Sequence, residues 1–157
     1  MREILFRGQT RRFGEKVRMN GEKVPSNWAY GGICQGKGAF SIIYGGMDIE
    51  REQPIDKYVI YTDTIGQYTG LTDKNGKKIF EGDIVKADDY IFVIKFGKCG
   101  GTPNADNYGY MGFYLEALSE GTKVCAKYGL RDDICYFEDI EIIDNIHDNR
   151  LLLKGGE

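Results

Sequence analysis

Short apolar segments separated by glycine-rich turns are the feature of this sequence that most constrains its fold. Segments such as 39–44, 58–62 and 90–96 are rich in Ile, Tyr and Phe, and such segments recur roughly every 8–12 residues. The 157 residues include 22 Gly, 11 Tyr and 8 Phe but only 3 Pro, a composition that suits tight turns and half-buried strands. The pattern predicts a mainly β protein built from short strands, with little helix.

The same segments predict the hydrophobic core. Successive side chains of a strand point to opposite faces, so apolar residues that alternate within a segment share one face. A chain of this length can bury such a core without disulfide or metal cross-links. The predicted core residues are Trp28, Tyr58, Leu71, Ile84, Val85, Phe92 and Ile94.

The net charge bears on the kind of partner, and the hydropathy of the sequence bears on the location of the protein. The formal net charge of −3 argues against broad nucleic-acid binding, which depends on neutralising phosphates. Residues 1–7 lack the apolar segment of a signal peptide, and no apolar run approaches the ~18 residues of a membrane span. We therefore expect a cytoplasmic protein that makes no membrane contact.

The cysteines predict no metal site. Cys34, Cys99, Cys125 and Cys135 form no C-x-x-C pair, and His147 is the only histidine in the sequence. A structural zinc ion requires four Cys or His ligands, which commonly come in close pairs. We expect four free thiols in a reducing compartment, and neither a metal nor another cofactor.

Three stretches approach known ligand-binding or catalytic motifs without completing them. Residues 31–37 fit the phosphate-binding pattern G-x-x-x-x-G-K, but Gly38 stands where that loop needs Ser or Thr, so a hairpin loop is favoured. Residues 71–82 resemble a calcium-binding loop, but Leu71 and Gly82 occupy the first and last positions, where that loop requires carboxylates. A β-turn is therefore favoured. His147 lies among Asp and Asn residues, and no pattern pairs it with a nucleophile. We therefore assign no catalytic residue and expect no enzymatic activity.

Residues 90–98 combine aromatic and positively charged side chains, as strands that bind nucleic acid do. Lys95 and Lys98 are the candidate binding residues. The alternation of Phe92, Ile94 and Phe96 favours a simpler interpretation, in which these three residues form a core face and Lys95 lies on the opposite face.

The segment from Gly97 to Gly112 predicts a long loop, because it is rich in Gly, Asn and Asp and lacks core periodicity. A loop of this length is uncommon inside a compact domain, and it is usually functional or disordered. Tyr108 and Tyr110 are candidate partner contacts, since tyrosine supplies a large contact area at little conformational entropy. The alternative is a solvated loop without a role. In either case we expect the loop to be more mobile than its flanking strands.

Residues 65–85 form a long, ordered motif in which glycines punctuate apolar segments. The residues that carry it are Gly66-Gln67-Tyr68-Thr69-Gly70-Leu71, Asp73-Lys74-Asn75-Gly76-Lys77 and Ile79-Phe80-Glu81-Gly82-Asp83-Ile84-Val85. This motif resembles the hallmark of the YopX-like family of phage and prophage proteins, and residues 1–8 and 142–152 resemble the start and the end of that family. The motif also has a physical interpretation: its glycines separate strands, Asn75-Gly76 makes a tight turn, and Asp83 caps a turn by accepting backbone N–H bonds.

The resemblance implies a single compact unit over 1–157. Its parts are an N-terminal β region over 1–64, the signature with an SH3-like barrel portion over 65–150, and a tail over 151–157. It also implies a phage or prophage protein that acts in the cytoplasm of a bacterial host. It carries over no catalysis, so we expect a non-enzymatic binding module with a protein or nucleic-acid partner. The alternatives are a homo-oligomeric structural component and a nucleic-acid-binding β-barrel.

Overall fold

The structure, a computed structural model, describes residues 3–10, 18–19, 22–23, 28–46, 48–99, 110–118, 128–129 and 139–148. The chain divides into two compact units, residues 1–68 and 69–157. Nearly all described elements are strands, and the mainly β prediction is confirmed. Within the described residues, no helix has the length and apolar character needed to cross a membrane.

The first unit is an antiparallel sheet. Its described strands follow the order β6-β5-β4-β1-β7, while β2 and β3 pair with each other separately. A 3-10 turn, Thr62–Thr64, connects β6 to β7, whose last residues belong to the second unit. The strands are β1 (Phe6–Gln9), β2 (Arg18–Met19), β3 (Glu22–Lys23), β4 (Trp28–Cys34), β5 (Phe40–Gly45), β6 (Asp56–Tyr61) and β7 (Gly66–Thr72).

The sheet of the first unit curls, so that strands β1 and β6 approach each other. An isolated antiparallel bridge joins Thr10, just after β1, to Ile60. Gly8 permits this approach, because a Cβ at that position would lie 2.3 Å from Cδ1 of Ile60. Ile60 forms the buried core of this unit together with Ala29 and Ile43.

The second unit is another antiparallel sheet, with the order β12-β11-β10-β9-β13. Strand β8 pairs with β7. No pairing among the described strands joins the two edges of the β12–β13 sheet, so the SH3-like barrel portion expected over 65–150 is not confirmed. The strands are β8 (Lys78–Phe80), β9 (Asp83–Ala87), β10 (Tyr90–Cys99), β11 (Tyr110–Ala117), β12 (Tyr128–Gly129) and β13 (Glu141–Asn145).

The predicted core is largely confirmed. Trp28, Ile84, Val85, Phe92 and Ile94 are buried. The other two predicted residues, Tyr58 and Leu71, are half-buried and pack against the cores of the first and second unit, respectively. The core cluster of the second unit consists of Ile79, Val85, Ala87, Phe92, Ile94, Leu115 and Ile140.

Strand β10 departs from the one-sided alternation that the sequence predicts. Val93 points to the face opposite Ile94 and is nevertheless fully buried, as is its cross-strand neighbour Ile84. Phe96, which was expected to continue the core face, is 49 % exposed because the strand extends beyond the core cluster. The prediction that Phe96 is a core residue is therefore wrong.

The predicted loop from Gly97 to Gly112 is too long by three residues at each end. Strand β10 continues to Cys99 and β11 begins at Tyr110, so Gly97 and Gly112 form a cross-strand pair. The ring of Tyr114 lies beside Gly97, where an added Cβ would be 3.5 Å from Cε1, and cross-strand packing here outweighs the turn preference of glycine. The expected mobility concerns residues 100–109, which lie outside the described residues.

Two glycines interpreted as strand boundaries lie inside strands instead. Gly31 sits within β4 and Gly70 within β7, whereas Gly66 is the first residue of β7. At Gly31 the absence of a side chain permits close backbone contact, since a Cβ there would lie 1.9 Å from the carbonyl oxygen of Tyr44. Glycine at such a position marks a close approach between strands rather than a turn.

Candidate functional site

The turn between β7 and β8 is held by the buried carboxylate of Asp73. Its Oδ1 accepts hydrogen bonds from the backbone N–H groups of Asn75 and Lys77, both at 2.9 Å. The N–H of Gly76, whose φ of +77° favours glycine, donates to the carbonyl of Asp73 at 2.9 Å. These contacts confirm the tight turn predicted at Asn75-Gly76.

The same turn also fixes a strand that is distant in sequence. Oδ2 of Asp73 accepts a hydrogen bond from the N–H of Ile142 in β13 at 3.2 Å. The N–H of Lys74 donates to the carbonyl of Ile140 at 2.8 Å, and Lys74 Nζ lies 2.6 Å from Glu141 Oε2. The turn at residues 73–77 therefore attaches the edge strand β13 to the connection between β7 and β8.

The hydrogen bonds to Asp73 determine its ionisation. Burial by itself raises the pKa of this carboxyl group. The backbone hydrogen bonds from Lys77, Ile142 and Asn75, together with the positive charge of Lys77, lower the pKa by more, so that it lies below its ordinary value of 3.8. The backbone hydrogen bonds of the folded protein therefore stabilise the ionised form of Asp73.

The second turn of the signature has a similar structural role. Asp83, 1 % exposed, accepts a hydrogen bond at Oδ2 from the N–H of Phe80 at 2.7 Å, which confirms the predicted cap. Gly82 has φ +83°; its N–H donates to the carbonyl of Ile94, and its carbonyl accepts from the N–H of Ile146. The two turns of the motif, at residues 73–77 and 80–83, thus join strands of the second unit, and their contacts are those of a folding motif.

The two candidate lysines do not form one surface. Lys95 lies on the face opposite Ile94, as predicted, and it makes an ion pair with Glu116 of β11. Lys98 is three residues further along β10 and therefore points to the other face. This geometry disfavours a nucleic-acid site that uses both Lys95 and Lys98.

Of the two candidate tyrosines, the structure describes Tyr110 in the β10–β11 hairpin. Tyr108 lies outside the described residues, and Tyr110 is the first residue of β11. Near this end of the hairpin, Phe96 is 49 % exposed and Met111 is 68 % exposed. The hairpin therefore carries exposed apolar side chains close to Tyr110, beyond the core of its unit.

A larger apolar surface, which we call the outer face, lies on strands β4, β5 and β6 of the first unit. The register places its residues in three cross-strand rows. Phe40, Val59 and Tyr61 are 39–42 % exposed, and Cys34 is exposed as well. The rows are Phe40 with Tyr61, Cys34 with Ile42 and Val59, and Gly32 with Tyr44 and Lys57.

The outer face is apolar along its length and opens into a groove at one end. At the other end the rings of Phe40 and Tyr61 pack with centroids 5.5 Å apart. The groove has a volume of about 490 Å³ and is lined by Tyr44, Gly46, Pro54 and Lys57. Lys57 is the single charged side chain on the three rows of this described surface. Contiguous exposed apolar surface of this kind marks interaction sites.

The outer face was not recognised from the sequence because both faces of β5 contain apolar residues. Ser41 and Ile43 point inward and are buried, whereas Phe40 and Ile42 point outward. Ser41 is accommodated inside because its Oγ bonds Thr62 Oγ1 at 2.9 Å and accepts the N–H of Gly36. Residue polarity alone predicts the reverse, with Phe40 buried and Ser41 exposed.

The cysteines are only partly described. Cys34 carries a free, exposed thiol on the outer face. The side chain of Cys99 and all of Cys125 and Cys135 lie outside the described residues. In the described ranges, no group of three or more His, Cys, Asp or Glu side chains is placed to hold a metal ion.

The fold and the outer face define a small, mainly β protein that exposes an apolar surface on its N-terminal unit. The chain belongs to the YopX protein family, whose model matches residues 42–154. The crystal structure of protein EF1440 from Enterococcus faecalis is 26 % identical over 73 % of this chain and 74 % of that chain, with a TM-score of 0.31. No curated protein matches the chain. Neither the family nor EF1440 has a name that states an activity.

Proposed function

We propose that this protein is a non-enzymatic binding module that receives a protein partner on its outer face. The observation that carries the proposal is the row of Cys34, Ile42 and Val59, flanked by aromatic side chains and lacking acidic ones. Apolar and aromatic side chains dominate the centres of protein interfaces, whereas charged residues are depleted there. The phage or prophage origin, the SH3-like barrel and the bacterial cytoplasm belong to this proposal and rest on the family resemblance.

A protein partner is favoured over a nucleic acid by the charge of this surface. Sequence-tolerant binding of single strands uses stacking aromatics together with several cations along the backbone. The described outer face offers Lys57 alone, and the rings of Phe40 and Tyr61 pack against each other.

The test is capture of a partner from a lysate of the bacterial host by the tagged, full-length protein. Val59→Glu places a charge in the middle of the outer face and should reduce capture by at least about tenfold, because the carboxylate would have to be desolvated among apolar side chains. Ile143→Glu is the matched control, since Ile143 on β13 is 43 % exposed and Val59 is 42 % exposed. The captured protein is identified by mass spectrometry. Equal capture by both variants contradicts the proposal, as does capture that nuclease treatment abolishes.

The β10–β11 hairpin is a second candidate contact, favoured by exposed Phe96 and Met111 near Tyr110. The double variant Tyr108→Ala/Tyr110→Ala tests this hairpin in the same capture assay. Loss of capture there, with full capture by Val59→Glu, would assign binding to the hairpin instead of the outer face.

A further inference from the structure

The two ends of the outer face carry different charges. At the end where β5 begins, Lys37 lies in the connection from β4, and Asp63 lies in the 3-10 turn after β6. At the opposite end, the turn after β5 carries Glu50 and Glu52 beside the ion pair of Asp48 and Arg51, and Lys57 lies near the start of β6. Within the described parts of the chain, no ion pair involves Lys37, Asp63, Glu50, Glu52 or Lys57.

This charge pattern is complementary to itself when one copy is reversed against another. With β5 facing β5 and β6 facing β6 in opposite directions, Lys37 of each copy meets Glu50 and Glu52 of the other. Asp63 of each copy likewise meets Lys57 of the other. The apolar rows lie between these charged ends and cover one another.

We propose that the partner of the outer face is a second copy of this chain, packed face to face about a two-fold axis that runs across the strands. This inference rests on the proposed function, because it names the occupant of the same surface. It makes the interface isologous, the commonest arrangement in soluble dimers. Face-to-face sheets of this kind pack ~10 Å apart with interdigitated side chains.

The direction of the axis follows from electrostatics. An axis parallel to the strands would bring the two acidic ends together, each with Asp48, Glu50, Glu52 and Asp56 against Arg51 and Lys57. Like charges placed opposite each other in an interface are strongly disfavoured. An axis across the strands separates the acidic ends, and it places the middle row of each copy over the middle row of the other.

The arrangement has a consequence for Cys34. This exposed thiol belongs to the middle row, together with Ile42 and Val59. An axis across the strands therefore brings the two Cys34 side chains of a dimer close to each other. An axis along β5 would instead bring Cys34 close to Val59 of the other copy.

Light scattering coupled to size exclusion of the full-length protein tests the dimer across the micromolar range. Wild type and the control Ile143→Glu should be dimeric, whereas Val59→Glu should be monomeric, with a dissociation constant raised at least about tenfold. Lys37→Glu should weaken the dimer about fivefold, and adding Glu50→Lys and Glu52→Lys to it should restore affinity. Circular dichroism verifies that each variant is folded.

Crosslinking tests the axis. In the variant Cys99→Ser/Cys125→Ser/Cys135→Ser, which keeps Cys34, a short bis-maleimide should yield a covalent dimer, and adding Val59→Glu should abolish it. A monomeric wild type, or a dimer that survives Val59→Glu, overturns the inference. Absence of the Cys34 crosslink in a Val59-dependent dimer overturns the proposed axis.

The outcomes separate this inference from the proposed function. If the wild type is monomeric and still captures another protein through Val59, the second copy is the wrong occupant and the binding module stands. If Val59→Glu changes neither oligomeric state nor capture, the outer face is not the binding surface and both fail.

Discussion

Replacing Asp73 with asparagine should release β13 from the signature turn. The asparagine keeps one acceptor oxygen, which can still receive the N–H groups of Asn75 and Lys77 at the position of Oδ1. Its amide nitrogen then occupies the position of Oδ2 and faces the N–H of Ile142, so that two donors meet where a hydrogen bond existed.

The expected loss of stability follows from these three hydrogen bonds. A hydrogen bond to a charged group contributes about 1.5–3 kcal/mol, and a buried donor left without its acceptor costs about 1–3 kcal/mol. Asp73→Asn removes one such bond and makes two others neutral. We therefore expect the free energy of unfolding of the second unit to fall by about 2–4 kcal/mol.

Hydrogen exchange and urea denaturation measure this effect in complementary ways. Exchange at residues 139–148 should accelerate in Asp73→Asn, because β13 loses the hydrogen bond at Ile142. Asp89→Asn is the control, since Asp89 is an exposed aspartate in the turn between β9 and β10. A loss below about 1 kcal/mol, or equal exchange in both variants, would refute the assigned role of Asp73.

The effect should also depend on pH in a defined direction. The pKa of Asp73 in the folded protein lies below the ordinary value of 3.8, so the unfolded chain binds this proton more tightly. The contribution of the carboxylate is therefore complete above pH 3.8 and is lost as the pH falls through the folded-state pKa. The stability difference between wild type and Asp73→Asn should shrink over that acidic range, and a constant difference would contradict the ionic role.

Three further predictions concern glycines and thiols. Gly82→Ala should destabilise the protein by about 1–2 kcal/mol in urea denaturation, because φ is +83° at that position; an unchanged midpoint would contradict this. Gly8→Ala should cost about 1–3 kcal/mol through overlap with Ile60, and adding Ile60→Val should recover part of that loss; equal stability of Gly8→Ala and wild type would show that the curled sheet relaxes freely. Cys34 should react with a thiol reagent in the folded, monomeric variant Val59→Glu, all four cysteines should react after denaturation, and elemental analysis should find no zinc; stoichiometric zinc would overturn the prediction of free thiols.

The sequence by itself determined the local elements of this protein. Asp73 with Asn75-Gly76 predicts a tight turn because an aspartate side chain bonds the backbone two residues on, and glycine tolerates positive φ. The cap at Asp83 follows from the same chemistry. Both predictions depend only on neighbours in the chain.

The tertiary structure alone decided which faces are covered. Alternation shows that Phe40 and Ser41 point to opposite sides of β5, but it does not show which side is packed against the rest of the unit. Val93 and Ile94 are both buried, whereas Phe96 is exposed. The hydrogen bond from Ile142 to Asp73 spans 69 residues. Such contacts arise from long-range strand pairing, and for this reason the attachment of β13 and the outer face could not be predicted from local sequence pattern.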